Sequence, residues 1–437
     1  TSPPDTGILI DDIRIAPLRP QKIIATEVIP ATLPALIGTA ASKLVHLKVT
    51  TEGSLNPILL QGIEASILGT KNLEALSLVP VSPGKNGQPL AFPDPADGQE
   101  LTWELKGIPL SEGENSFWLC GRLKKEADPD ERVGAKISRL HFSHTKKEPA
   151  ARAPRQTEDA LPLNWSVAVH SAPSTQRIGV AVRNGGDDKV HTYRIPGLVT
   201  TLKGTLIGVY DVRRNSGRDL PGNIDVGMSR STDGGRSWES MKIIMDMGQD
   251  PKWRFDGIGD PAILVDRNTG TIWVAATWSH GNRSWIGSGP GMTAEQTGQL
   301  MLVKSEDDGL TWSPPINITR QVKKPEWCFL LQGPGKGITM RDGTIVFAAQ
   351  YQDSPAKKRL PRSTILYSRD HGVTWQLGIG AFDDTTESQV VEIRPGTLML
   401  NCRYNRKSAR VVMTTDDLGK TWRSEEHTSE LQSRQYL

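Results

Sequence analysis

At 437 residues the chain exceeds one ordinary domain, so two are expected. Its 52 basic and 49 acidic residues nearly cancel, leaving no overall cationic field to suggest nucleic acid or an anionic membrane surface. No apolar run approaches the roughly 20 residues a membrane helix needs. The 3 cysteines, Cys120, Cys328 and Cys402, lack metal-site spacing, and their odd number argues against a disulfide framework. The chain opens on Thr1 rather than Met, so a preceding signal peptide would not be visible in it.

Residues 1–145 alternate apolar and polar positions in short runs separated by turn-rich stretches. Val45-His46-Leu47-Lys48-Val49, Phe117-Trp118-Leu119-Cys120 and Ile137 through Phe142 are such runs. Period-two alternation predicts a small β-sandwich, either a carbohydrate-binding module or a packing accessory. Residues 146–162 are charged, Ala/Pro-containing and aperiodic, which reads as a linker.

Over 163–422 the pattern changes. Leu206–Tyr210, Thr271–Ala275, Gly343–Phe347 and Gly396–Leu400 each read as an apolar strand, most of them opened by a Gly–Thr turn. Between these strands one pattern, Ser/Thr-x-Asp-x-Gly-x-Thr/Ser-Trp, occurs four times. The copies run from Ser231 to Trp238, Ser305 to Trp312, Ser368 to Trp375 and Thr415 to Trp422. Each reads as a self-contained turn: Asp accepts backbone N–H groups, Gly supplies a left-handed dihedral, and Trp pins the turn to neighbouring strands. Recurrence every roughly 45–75 residues predicts four-stranded blades arrayed radially, a β-propeller. Four equivalent acids around a ring cannot all serve one site, so these residues are structural. Residues 423–437 hold no strand pattern, and Ser424 through Ser433 resembles the translation of a sequencing adapter; the expectation is a non-native tail on a C-terminally truncated propeller of about four blades.

Tyr193-Arg194-Ile195-Pro196 lies just upstream of the first blade's strands. That motif together with four Asp boxes resembles the sialidase (neuraminidase) family, and the resemblance covers Asn164 to Trp422. It implies a six-bladed propeller, with a sandwich domain of the kind found ahead of some bacterial members. The residues suit the implied substrate. A sialic acid carries a carboxylate at its anomeric carbon, and planar guanidinium forks bind a carboxylate bidentately while staying charged.

The resemblance assigns Arg194 to that carboxylate. In Tyr210 through Asp219, a charge-dense loop after an apolar strand, it assigns Arg213 to the ring hydroxyls and Asp219 to general acid/base work. Arg214 and Arg218 remain substitutes for Arg213, and Asp225 a rival to Asp219, while Asp211 reads as structural. It places Asp260, before Pro261, near the sugar's O4 hydroxyl. Trp278, Trp285 and Met292 could wall the glycerol or N-acyl pocket, with core packing the other reading. Glu387, entering an apolar strand, and Arg403, ending the next, are expected to meet across a hairpin. The resemblance makes Glu387 the activator of a tyrosine nucleophile and Arg403 the second carboxylate ligand, with Glu392 structural.

The implied third arginine, the tyrosine nucleophile and the Glu that steadies the first arginine have no counterpart here. Tyr351, Tyr367 and Tyr404 come too early in the blade order, and Tyr436 lacks the context. The expected activity is exo-α-sialidase hydrolysis with retention, using Tyr in place of a second carboxylate. A trans-sialidase or an inactive sialic-acid-binding propeller are the alternatives, and the fragment alone is expected to be inactive. No metal or organic cofactor is required by that chemistry. Sialylated glycoproteins, glycolipids or oligosaccharides would be the partners, with no nucleic acid and no membrane span. A secreted or periplasmic location follows from where such glycans are found.

Overall fold

The computed structural model describes residues 19–82, 85–92, 98–144, 164–170, 174–248 and 256–424. The chain divides into two compact units, Thr1–Ala181 and Val182–Leu437. Among the described residues no helix is long and apolar enough to cross a membrane.

The first unit is a sandwich of two sheets. One sheet orders Lys22–Pro30, Ser42–Glu52, Gly113–Leu123 and Leu73–Ser82, with two short strands at its edge. The other orders Ala35–Ile37, Ser174–Val180, Arg132–His144, Ile58–Leu68 and Glu100–Pro109, with Asn164–Ala168 also pairing Arg132–His144. The alternation in the sequence is the cause: Val45, Leu47 and Val49 are buried between the sheets while His46 and Lys48 reach outward. Burial pushes the Cys120 thiol up to about 11, as befits a packing residue.

The domain boundary differs from the expected one. Asn164–Ala168 pairs with Arg139–Ser143, and Ser174–Val180 pairs with Arg132–Ala135 and, in parallel, with Ala35–Ile37. These strands complete the sandwich, so the propeller begins near Val182 rather than at 163. Pairing is made by backbone groups, and nothing in a short strand's side chains names the sheet it joins. The expected linker, 146–162, lies outside the described residues.

The second unit holds four consecutive sheets, the blades of a propeller. Blade 1 orders Thr192–Thr200, Leu206–Arg213, Ile224–Ser231 and Lys242–Met245. Blade 2 orders Asp256–Val265, Ile272–His280, Gln299–Ser305 and Ile316–Asn317. Blade 3 has a divided first strand, Phe329–Gln332 and Ile338–Thr339, then Ile345–Gln352, Pro361–Ser368 and Gln376–Leu377. Blade 4 orders Thr385–Arg394, Thr397–Tyr404, Arg410–Thr415 and Arg423–Ser424. Arg423 and Ser424 therefore form an outer strand, although they were expected in the non-native tail; an edge strand pairs by backbone and needs no apolar pattern. The rest of that tail, 425–437, is outside the described residues.

Apolar layers fill the space between successive blades. Ile207, Val209 and Met228 of blade 1 pack with Ile263, Ile272 and Val303 of blade 2 in one such layer. The Asp boxes close each blade between its third and fourth strands with the same bonds. In the second box Ser305 Oγ donates to Asp307 Oδ1 (2.9 Å) and accepts the Gly309 N–H (2.9 Å), while the Thr311 N–H and hydroxyl donate to the two Asp307 oxygens (2.8 and 2.6 Å). The Thr311 bonds hold the Asp307 carboxyl down to about 2. Gly309, at φ 81°, is required twice over: a Cβ there would lie 2.6 Å from Ile207 Cδ1 of the preceding blade.

Candidate active site

The first strands of the blades are interrupted at corresponding places, and the interruptions carry the candidate residues. In blade 1 the register slips between Arg194 and Gly197, leaving Ile195 and Pro196 out of the ladder. In blade 2 it slips between Gly259 and Ala262 around Asp260-Pro261, and in blade 4 between Thr386 and Ser388 around Glu387. Blade 3 breaks after Gln332, and Gly335–Lys336 leaves its own sheet to pair in parallel with Ala262 and Ile263. Proline has no N–H for a ladder, which accounts for Pro196 and Pro261. Bulges re-aim a side chain out of the strand's alternation. The bulged residues Ile195 (φ 54°) and Asp260 (φ 57°) are left-handed, a conformation that costs about 1–3 kcal/mol and persists only where neighbours impose it.

Around these bulges the charges interlock. Arg213 ends the second strand of blade 1 and is 1% exposed. Its Nη1 donates to Asp219 Oδ1 (2.7 Å) and the Gly217 carbonyl (2.8 Å). Its Nε and Nη2 donate to Asp211 Oδ2 (3.0 and 2.8 Å). Asp219 stands on the following loop, 76% exposed, and Arg194 donates to the same Oδ1 at 3.2 Å. In blade 4 Arg403 Nη1 donates to Glu387 Oε2 at 3.1 Å, and both side chains are open to solvent.

Asp260 lies between the two groups. Burial raises its carboxyl to about 6; Arg213 opposes the rise, while Asp219 and Glu387 add to it. Below its ordinary value of 3.8 folded and unfolded chains are both protonated. Between there and about 6 the folded chain keeps a proton that the unfolded chain has lost, so stability falls as pH rises through that window. Asp260→Asn removes the carboxylate and suits the left-handed backbone. It is expected to stabilise this chain by about 1–3 kcal/mol at pH 7 and hardly at all near pH 4, read by urea unfolding at both pH values. An equal effect at both would contradict the assignment.

The structure brings Arg194, Arg213, Asp219 and Asp260 into one connected group, with Glu387 and Arg403 as a pair whose Glu387 charge reaches Asp260. Arg213 lies beneath this surface with its guanidinium engaged by protein oxygens, not extended toward a sugar ring. Arg214 takes the opposite side of the strand and pairs with Asp225 (2.6 Å), which occupies both of those alternatives. Glu392 accepts the Arg341 and Gly396 N–H groups far along its strand. Trp278 donates its indole N–H to Asp256, and Trp285 packs edge-on against Phe329.

The described tyrosines are all absorbed in packing or local bonds. Tyr193 and Tyr210 meet edge to face, Tyr351 stacks on Trp327, Tyr367 donates to Gln376, and Tyr404 packs on Phe382. Among the described residues no group of three or more His, Cys, Asp or Glu could hold a metal ion. Sequence reasoning missed Gln332, whose amide donates to the Asp260 carbonyl and whose Oε1 accepts the Thr277 hydroxyl (2.9 Å). A polar residue ending the apolar run Phe329-Leu330-Leu331, just before Gly-Pro-Gly, was the available signal.

Repeated Asp-box turns on a propeller whose inner bulges gather arginines and acids define a BNR-repeat protein, and the BNR repeat-like domain family matches residues 195–434. The chain belongs to that family, among the bacterial sialidases. It is 55% identical over 323 residues to a sialidase of Bacteroides fragilis, covering 72% of this chain and 56% of that protein. It is 30% identical over 256 residues to a Paraclostridium sordellii sialidase, covering 56% and 61%. Among solved structures the Hadza microbial sialidase Hz136 matches at 38% identity with a TM-score of 0.75, over 92% of this chain and 80% of that one. The chain spans little more than half the length of the curated relatives it matches.

Proposed function

We propose that the complete protein is an exo-α-sialidase that hydrolyses terminal α-linked sialic acids with retention. The observation that carries this reading is the pairing of exposed arginines with exposed acids at the first-strand bulges of blades 1 and 4, Arg194 with Asp219 and Arg403 with Glu387. Each guanidinium is held near the centre by an anion that a substrate carboxylate can replace at little electrostatic cost. On binding, Arg194 exchanges Asp219 for the substrate, leaving Asp219 with Arg213 as its remaining guanidinium partner. Asp219, on the rim loop, is then placed to protonate the leaving oxygen and afterwards to activate water.

Glu387 is the base for a neutral nucleophile. The substrate's own carboxylate sits beside the anomeric carbon and would repel an anionic one, so a tyrosine is the fitting partner. None of the described tyrosines supplies it, and in this reading it comes from elsewhere in the longer protein. Sialylated glycoproteins, glycolipids or oligosaccharides are the substrates, met outside the cytoplasm. The test is proton NMR of an aryl α-sialoside incubated with the complete protein. The expected first product is the α-anomer of sialic acid. No turnover by a well-folded complete protein would overturn the reading, and a β-anomer first product would overturn retention.

A further inference from the structure

We propose that Asp211, which cannot touch a ligand, is the positioning residue that sets both Arg213 and Asp260, and through them how the site holds its substrate. The proposal rests on the sialidase reading only for the choice of ligand. Asp211 and Arg213 are two apart on one strand, so their side chains leave the same face and the carboxylate reaches the guanidinium directly. Asp211 is 1% exposed. Its Oδ2 takes two donors from Arg213, and its Oδ1 accepts the N–H of Asp260, in the next blade, at 2.8 Å. One buried carboxylate therefore fixes a side chain of blade 1 and a backbone bulge of blade 2.

The other side of the same bulge is held as well. Gln332 of blade 3 donates to the Asp260 carbonyl, and Gln332 is itself fully buried and anchored by Thr277 of blade 2. Asp260 is left-handed and faces the like charges of Asp219 and Glu387, so without restraint at both peptide groups its carboxylate would turn away. The neighbouring residue is a glycine in keeping with this. A Cβ on Gly259 would stand 3.1 Å from Asp211 Oδ1, so the carboxylate would have to give by a few tenths of an ångström. A buried ion pair spent only on stability would be poorly chosen, since an apolar pair of similar volume often serves as well. Here the pair reaches outward to Asp219 at one end and Asp260 at the other.

The experiment uses the complete protein and three variants. Asp211→Asn weakens the clamp at its centre, and Gly259→Ala crowds it without changing charge. Asp225→Asn breaks a neighbouring pair, with the partly exposed Arg214, on the opposite side of the strand. The readouts are kcat and KM for an aryl sialoside, Kd for a dehydro-sialic acid analogue, thermal unfolding, and hydrogen exchange of the segment Gly257–Ala262. Asp211→Asn and Gly259→Ala are expected to raise KM and Kd at least tenfold, with a smaller fall in kcat, and to speed exchange in that segment. Asp225→Asn is expected to leave KM within threefold and the exchange unchanged.

Folded Asp211→Asn and Gly259→Ala proteins with wild-type KM and unchanged exchange would overturn the proposal. So would an Asp225→Asn protein showing the same rise in KM. A wild-type protein that neither turns over the sialoside nor binds the analogue would fail the sialidase reading instead. The exchange of Gly257–Ala262 would then decide the clamp alone.

Discussion

Arg213→Ala is expected to cost about 3–5 kcal/mol of folding stability, far more than any other substitution among the candidate site residues. The guanidinium is 1% exposed and so is its partner Asp211. Truncating the arginine leaves the Asp211 carboxyl, already pushed up to about 7 by burial, with the Asp260 N–H as its remaining donor, so it must stand uncompensated or take up a proton. Arg194 contacts the same Asp219 at 3.2 Å, but its side chain is 47% exposed and the carboxylate 76%. Water replaces that contact, so Arg194→Ala should fall within about 0.5 kcal/mol of the parent. The double variant Arg213→Met/Asp211→Leu removes both buried charges at similar volume and should recover most of the loss. Urea unfolding of the chain and the three variants checks all of this. An Arg213→Ala loss below about 1 kcal/mol, or a double variant less stable than the single, would contradict the buried-pair account.

The sequence carried the blades because their turns are local. Asp307 and Thr311 lie within one tight loop, so the pattern of residue types already contains the bonds that form. The inner bulges were half visible. Arg194-Ile195-Pro196 and Asp260-Pro261 each place a proline where a ladder must be broken, but Glu387 has no proline and was assigned by the family resemblance, as an acid entering an apolar strand opposite Arg403. What remained hidden was non-local. Asp211 reads as an ordinary strand acid until Gly259 and Asp260 of another blade are brought beside it, and Gln332 reaches Asp260 from 72 residues away. The boundary at 163 failed for a related reason, since Ser174–Val180 joins the sandwich through parallel pairing with Ala35–Ile37, far earlier in the chain.

Glu387→Gln in the complete protein should lower kcat for a sialoside by about 10²–10⁴-fold, the usual worth of a positioned general base. The side chain is 52% exposed and Gln keeps an oxygen to accept from Arg403 at the same place, so stability should stay within about 0.5 kcal/mol. The informative quantity is KM. With Glu387 ionised, Arg403 is shared between that carboxylate and the incoming one; with a neutral amide beside it, Arg403 is available to the substrate alone. KM should therefore stay level or fall while kcat collapses: a level KM marks an interaction made only in the transition state, and a lower one adds relief of the ground-state competition for Arg403. Arg403→Lys should show the reverse weighting, with KM raised because a point charge replaces a planar fork. Steady-state kinetics of the two variants separates these outcomes. A Glu387→Gln enzyme with kcat within threefold of the parent would remove Glu387 from the chemistry and leave it as a partner that merely orders Arg403.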